Sequence, residues 1–119
     1  MTDGELRIKR VYDAPEPEDG YRVLVDRLWP RGLTRQRADL DLWLKDVAPS
    51  PELRTWWGHD PARFAEFAAR YTGELATNPA LDELRDAVRA HTTTTLLYAA
   101  RDPRVNHAIV LRDALTATS

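Results

Sequence analysis

The sequence predicts an α/β fold with a small, mostly parallel central sheet of about three strands, flanked by about five helices. Two apolar runs, at residues 22–27 and 93–100, do not alternate with polar residues, which is typical of strands buried on both faces. Stretches with a helical spacing of apolar residues lie between and after them. A capping residue followed by proline, which favours a helix start, recurs four times. Strands that alternate with helices indicate a layered α/β architecture.

The first strand is predicted at residues 6–12, where apolar and charged side chains alternate as in a half-exposed strand near a sheet edge. A proline-containing acidic loop follows at residues 13–20, and it leaves the relative direction of the first two strands open. The second strand ends at Trp29-Pro30, because proline lacks the N–H group that a sheet requires.

A helix is predicted over residues 40–47, where apolar side chains recur at positions i, i+3, i+4 and i+7. The four capping pairs are Ser50-Pro51, Asp60-Pro61, Asn78-Pro79 and Asp102-Pro103. They predict helices over residues 51–57, 61–75, 79–90 and from about residue 103 to the C-terminus. The strand at residues 93–100 precedes the last of these helices and is expected to be central in the sheet.

Composition and charge restrict the function. The 119 residues form one predicted domain, residues 1–119, with a net charge of −2, so no general attraction to nucleic acid or anionic membranes is expected. The absence of cysteine excludes disulfides, thiol catalysis and zinc–thiolate sites. Because no signal peptide and no apolar run of about 18 residues is present, we expect a cytoplasmic protein without a membrane partner. The oligomeric state is left open.

Charged residues stand at the end of the buried strand predicted at residues 22–27. Asp26 and Arg27 stand directly at its end, and Arg31 follows between a proline and a glycine. Ligands of parallel α/β sheets bind beyond the carboxyl ends of the strands, where a guanidinium binds phosphate or carboxylate. Arg31 is favoured over Arg27 as the ligand contact, and Asp26 is expected to orient Arg27 rather than act as a base. Alternatively, Arg27 pairs internally with Asp26, Asp102 or a helix carboxylate.

The other polar strand end follows the buried strand predicted at residues 93–100. Its candidate residues are Tyr98, Arg101, Asn106 and His107. The first N–H groups of the helix that follows are suited to bind an anion. Capping of this helix by Asp102, with solvated arginines, is an equally weighted alternative.

Trp56, Trp57 and His59 form a third group of candidates. Adjacent helical residues point in different directions, so one tryptophan is expected in the core and the other in the wall of a cleft. Core packing of both tryptophans is the alternative, and it is favoured over the divided arrangement. His59 is either an acid–base group of the pocket or a structural residue at a helix junction.

Together these residues predict a pocket for an anionic small molecule, a phosphorylated or carboxylate compound such as a nucleotide, with an enzymatic reaction left open. The candidate acid–base groups are Asp26, His59 and His107. The candidate ligand contacts are Arg27, Trp29, Arg31, Trp57, Tyr98, Arg101 and Asn106. No metal or cofactor is expected, because the three histidines lack ligand spacing and no glycine-rich phosphate loop is present.

Two alternatives compete with this pocket. One is a non-catalytic interaction or nucleic-acid-associated module that contacts phosphates through Arg31, Arg35 and Arg37, although the net charge argues against nucleic acid. The other is a folding device, in which the arginines pair internally with Asp26, Asp46 and Asp102 and no open pocket exists.

The chain resembles the YeaO-like family of bacterial proteins, within the larger group known as domain of unknown function 488. The resemblance rests on RVLVDRLWPRG at residues 22–32, WLKD at 43–46, WGHDP at 57–61, LLYAA at 96–100 and NHA at 106–108. It implies a compact α/β domain in which the two strand ends belong together. The larger group tends to carry Asp-x-Arg at one strand end and Cys-His-Arg at the other. Here Asp26-Arg27 lacks the spacer and Asn106-His107 lacks the cysteine, so a thiol mechanism does not carry over.

Overall fold

The computed structural model describes residues 5–117. The strands in this range are β1 Glu5–Arg10, β2 Tyr21–Leu24, β3 Leu42–Trp43 and β4 Thr93–Tyr98. The α-helices in this range are α1 Arg35–Ala38, α2 Pro51–Trp57, α3 Phe64–Leu75, α4 Pro79–Ala90 and α5 His107–Ala117. All strands are parallel, in the order β1-β4-β2-β3. The α/β prediction is confirmed, with four strands among the described residues where about three were predicted.

The central strand is β4, which pairs with β1 on one side and with β2 on the other. Leu96 of β4 lies in register with Ile8 of β1 and with Val23 of β2, so all three side chains point to the same face. The central positions predicted for the two apolar runs, and the edge position predicted for the first strand, are confirmed. The pairing also fixes the direction of the first two strands, which both run parallel to β4.

The two faces of the sheet are covered unequally. Val23, Val25 and Leu96 point to one face and pack against α2, α3, α4 and α5 in the larger core. Leu24 and Leu97 point to the other face, where α1 and its flanking loops form a smaller core. This alternation follows from the period of two in a strand, and β2 and β4 are apolar on both faces.

The prediction of a helix over residues 40–47 is wrong. A short strand, β3, pairs with the edge of β2 there, and the 3-10 turn Lys45–Val47 follows it. Trp43 packs in the smaller core, whereas Leu44 and Val47 pack in the larger one. Their helical spacing is misleading, because these side chains divide between two faces of a sheet instead of sharing one face of a helix.

The capping residues Ser50 and Asn78 act as predicted. Their side chains accept hydrogen bonds from backbone N–H groups two or three residues later, and α2 and α4 begin at the following prolines. Asp60 opens the 3-10 turn Pro61–Arg63, so α3 begins three residues later than the predicted helix start.

The last helix begins at His107 instead of near residue 103. Asp102 only closes a turn, with Oδ1 accepting from the N–H of Arg104 at 2.8 Å. Asn106 is the capping residue, because its Oδ1 accepts from the N–H of Ile109 at 3.1 Å. The helix is described to Ala117, and its predicted extension to the C-terminus falls outside the described residues.

Candidate functional site

A cavity of about 220 Å³ lies at the carboxyl edge of the sheet, beyond the ends of β2 and β4. Its lining residues are Asp26, Arg27, Leu28, Ala48, Pro49, Arg54, Trp57, His59, Ala99, Ala100 and His107. Five of the predicted site residues are therefore brought together from three separate parts of the chain. The location agrees with the rule that ligands of parallel sheets bind beyond the carboxyl ends of the strands.

Asp26 connects the two strand ends. Its Oδ2 accepts a hydrogen bond from the N–H of Ala99 at 3.1 Å, just after β4. Its Oδ1 lies 3.2 Å from Nε2 of His107, at the start of α5. Its backbone carbonyl accepts from the indole N–H of Trp43 at 2.8 Å. Asp26 is thus held by three elements, and its carboxylate is directed at protein groups.

His107 is fixed by the same arrangement. Its Nε2 lies 3.1 Å from the carbonyl oxygen of Val25 and 3.2 Å from Oδ1 of Asp26. Because both neighbours are acceptors, Nε2 carries a proton in this geometry. The side chain is 11% exposed, so the ring forms part of the cavity wall.

Arg27 is a partly buried cation in the wall of the cavity. Its Nη2 donates to the carbonyl oxygens of Ala48 and Pro49, each at 3.3 Å. Its Nε is buried without a hydrogen-bond partner, and no carboxylate among residues 5–117 lies within ion-pair distance. The internal ion pair considered from the sequence does not form among the residues that the structure describes. The guanidinium is held in place while its charge remains uncompensated.

The end of α2 supplies the opposite wall. Trp57 is 2% exposed and stacks on Phe67 with ring centroids 3.9 Å apart, so it serves both the core and the cavity. Its indole N–H donates to the carbonyl of Asp60 at 3.0 Å. Trp56 points away, and the guanidiniums of Arg63 and Arg70 lie over its ring. The expected division between a core tryptophan and a cleft tryptophan is not found, because Trp57 takes both positions and Trp56 does not line the cavity.

His59 forms the rim of the cavity. It has a left-handed φ of 59°, directly after Gly58 with a φ of 56°, and its ring lies 4.8 Å from that of Trp57. Partial burial lowers the pKa of His59 below its ordinary value, and the charge of Arg54 lowers it further. A left-handed φ at a residue other than glycine is costly, so this turn is held by its surroundings.

Sequence reasoning missed Arg54, which lines the cavity from α2. A signal for it exists, because Arg54 precedes Trp57 by three residues and side chains at that spacing share one face of a helix. Leu28 and the alanines after β4 were also missed. They carry no chemical signal of their own, and only the folded chain shows that they form the apolar part of the wall.

Five predicted ligand contacts do not line this cavity: Trp29, Arg31, Tyr98, Arg101 and Asn106. Trp29 packs over the smaller core and donates to the carbonyl of Leu33 at 2.6 Å. Tyr98 is buried in the larger core, which raises its pKa by desolvation. Asn106 is fully buried as the cap of α5, so the helix N–H that it binds is not available to a ligand.

The arginine cluster lies elsewhere on the surface. Arg31, Arg35 and Arg37 are exposed on α1 and the loop before it. The guanidinium of Arg35 lies 4.9 Å from the ring centroid of Trp29. These arginines therefore belong to the side of the sheet that carries the smaller core.

Residues 5–117 carry neither a metal cluster nor a membrane-spanning helix. No group of three or more histidine, aspartate or glutamate side chains in this range is arranged to hold a metal ion. None of the helices in the same range combines the length and the hydropathy that crossing a membrane requires.

Comparison with known proteins agrees with the resemblance inferred from the motifs. Residues 5–119 match the family described as the inactive DUF488-N3 subclade. An uncharacterised protein of Mycobacterium tuberculosis is 46% identical over 115 residues, covering 97% of both chains. The uncharacterised protein YeaO of Escherichia coli is 42% identical over 110 residues, covering 92% of this chain and 96% of YeaO. No solved structure matches the chain significantly. The chain therefore belongs to the inactive DUF488-N3 subclade, as a YeaO-like member of the DUF488 family.

Proposed function

We propose that this protein binds a small anionic molecule in the cavity at the carboxyl edge of its sheet, without catalysing a reaction on it. The observation that carries the proposal is that the guanidinium of Arg27 has no carboxylate partner in the described range. Its guanidinium lines the cavity and is fixed by two backbone carbonyls, yet it meets no carboxylate within residues 5–117. A guanidinium is always charged, so an anion in the cavity would supply the missing compensation.

The composition of the cavity wall favours binding over catalysis. No serine, threonine, cysteine, lysine or tyrosine is among the lining residues in the described range, so hydroxyl, thiol and amine nucleophiles are missing. Asp26 and His107 are turned toward each other and toward backbone groups, which suits a positioning role. The description of the family as inactive agrees with this assignment.

The alternative interaction surface has less support. The guanidinium of Arg35 lies over the ring of Trp29, and Arg31 and Arg37 are exposed on a protein with a net charge of −2. Exposed arginines need no partner, because water solvates them at little cost. Arg27 is different, because it is partly withdrawn from water and has no such compensation.

The proposal is tested with Arg27→Met, which keeps much of the side-chain length and removes the charge. The indole N–H resonance of Trp57 is followed by NMR while acetate, benzoate and inorganic phosphate are added separately. At least one anion should shift this resonance in the wild-type protein and fail to do so in Arg27→Met. Arg31→Met is the matched control, because Arg31 is an exposed arginine outside the cavity, and it should respond like the wild type.

Two results would refute the proposal. One is that no anion shifts the Trp57 resonance of the wild-type protein at millimolar concentration. The other is that Arg27→Met and the wild type respond equally, which would place binding outside the cavity.

A further inference from the structure

We infer that the anion bound in this cavity is a compact monocarboxylate with an apolar body, and not a phosphate ester or a nucleotide. This inference rests on the proposed function and adds the chemical class of the ligand. Three independent features of the cavity lead to it: its charge balance, the engagement of the nearby helix termini, and its size and wall.

The charge balance favours a single negative charge. Two guanidiniums, Arg27 and Arg54, and one carboxylate, Asp26, line the cavity, which leaves one formal positive charge among them. A carboxylate ligand would neutralise this charge. A phosphate ester carries up to two negative charges and would be repelled by Asp26, whose Oδ1 is buried beside His107. A guanidinium suits a carboxylate because the two groups form parallel hydrogen bonds.

At each helix terminus near the cavity, a capping side chain already binds one backbone N–H. Proteins bind phosphate largely through unpaired backbone N–H groups at helix starts and glycine-rich loops. At the start of α5, Oδ1 of Asn106 accepts a hydrogen bond from the N–H of Ile109. At the start of α2, the hydroxyl oxygen of Ser50 accepts a hydrogen bond from the N–H of Leu53. The carboxylate of Glu74 accepts hydrogen bonds from the N–H and the hydroxyl of Ser50, at 2.9 and 2.5 Å. The negative charge of Glu74 at that helix start further disfavours a phosphate there.

The size and the wall agree with a compact apolar body. A cavity of about 220 Å³ lies below the range of about 300–1,000 Å³ that is usual for drug-sized ligands. Leu28, Pro49, Trp57 and the two alanines after β4 form the apolar part of the wall. A nucleotide would extend beyond this space, whereas a small ring or short aliphatic chain would fill it and leave its carboxylate at the arginines.

The experiment compares ligands that share one ring and differ only in the polar group. Isothermal titration calorimetry with the full-length protein uses benzoate, benzamide and phenyl phosphate, with acetate as the anion that lacks a ring. We expect benzoate to bind about tenfold more tightly than each of the other three. Arg27→Met should lose the preference of benzoate over benzamide, because it removes the charge that distinguishes them.

The outcomes separate the two proposals. Tighter binding of phenyl phosphate than of benzoate overturns the carboxylate class and leaves an anion pocket in place. Equal binding of acetate and benzoate overturns the apolar body. If none of the four compounds binds at millimolar concentration, the inference fails together with the proposed function.

Discussion

Two arginines mark the two ends of β2, and they are held in opposite ways. Arg22, in the first half of the strand, is 3% exposed and lies 2.5 Å from Oδ2 of Asp19 through Nη1. Its Nε and Nη2 donate to the carbonyls of Asp39 and Ala38 at 2.9 and 2.8 Å. Every nitrogen of this guanidinium has a partner. Arg27, just past the end of the strand, uses only Nη2, at 3.3 Å.

This difference separates a guanidinium that the chain pairs with a carboxylate from one that it leaves without such a partner. Burial of a guanidinium is costly unless an anion and hydrogen bonds compensate it. At the start of β2 the chain supplies both, because Asp19 also accepts from Lys9 at 3.1 Å and from the N–H of Glu16 at 3.0 Å. At the end of the strand the described chain supplies neither a carboxylate nor a partner for Nε. The compensation there must come from solvent or from a ligand.

The largest expected effect is on stability, from Arg22→Met compared with Arg27→Met. Arg22→Met leaves the buried Asp19 carboxylate without its closest cation and should lower the free energy of unfolding by about 3–5 kcal/mol. Arg27→Met removes two long hydrogen bonds and no ion pair, so we expect a loss of about 1 kcal/mol. Urea unfolding of both variants measures the difference. Equal losses would show that the two arginines play the same structural role.

The pH dependence of that difference follows from Asp19. Burial alone would raise its pKa, but hydrogen bonds from Glu16 and Lys9, together with Arg22, outweigh burial and hold the pKa below its ordinary value of 3.8. A lowered carboxyl pKa stabilises the folded protein above the unfolded pKa, and this contribution is lost as the pH falls through the folded pKa. The stability gap between wild type and Arg22→Met should therefore narrow below about pH 4.

A second test uses glycines near the same two ends. Gly20 has a φ of +64°, and a Cβ there would lie 2.3 Å from the backbone oxygen of Thr93. Gly32 has a φ of +75° with nothing within 4 Å of the added atom. Gly20→Ala should therefore cost about 2–4 kcal/mol, because strain and a backbone clash add, whereas Gly32→Ala should cost about 1 kcal/mol from strain alone.

Thermal unfolding of the two alanine variants provides the measurement. Anion binding by Gly32→Ala should be unchanged, because Gly32 does not line the cavity. A Gly32→Ala variant that is destabilised as strongly as Gly20→Ala would contradict the open space found around Gly32.

Local signals in the sequence predicted the framework of this fold. The apolar runs of β2 and β4 identify central strands, because only burial on both faces tolerates them. Ser50 and Asn78 identify helix starts, because their hydrogen bonds reach no further than three residues. Five of the candidate residues line one cavity, since the carboxyl ends of parallel strands meet at one edge of the sheet.

The missed features depend on contacts between distant parts of the chain. β3 is only two residues long and is defined by its pairing with β2, which no local pattern reports. The choice between Arg27 and Arg31 depends on how the loop after β2 folds back over the smaller core with Trp29. Asn106 could be assigned as a cap only once the helix start at His107 was known.

The smallest expected effect is a change in the pKa of His59, which depends on the charged groups around the cavity. Its pKa lies below the ordinary value of 6.5, mainly because of partial burial and next because of Arg54. The neutral imidazole is therefore favoured in the folded state, and its contribution to stability is complete above pH 6.5 and declines as the pH falls below it.

An NMR titration should show a midpoint below 6.5, which rises in Arg54→Met and also when benzoate is bound. A midpoint at or above 6.5 would contradict the cationic character of the cavity. A midpoint that is low but unchanged in Arg54→Met would assign the shift to burial alone, and it would remove Arg54 from the charge balance that favours a carboxylate.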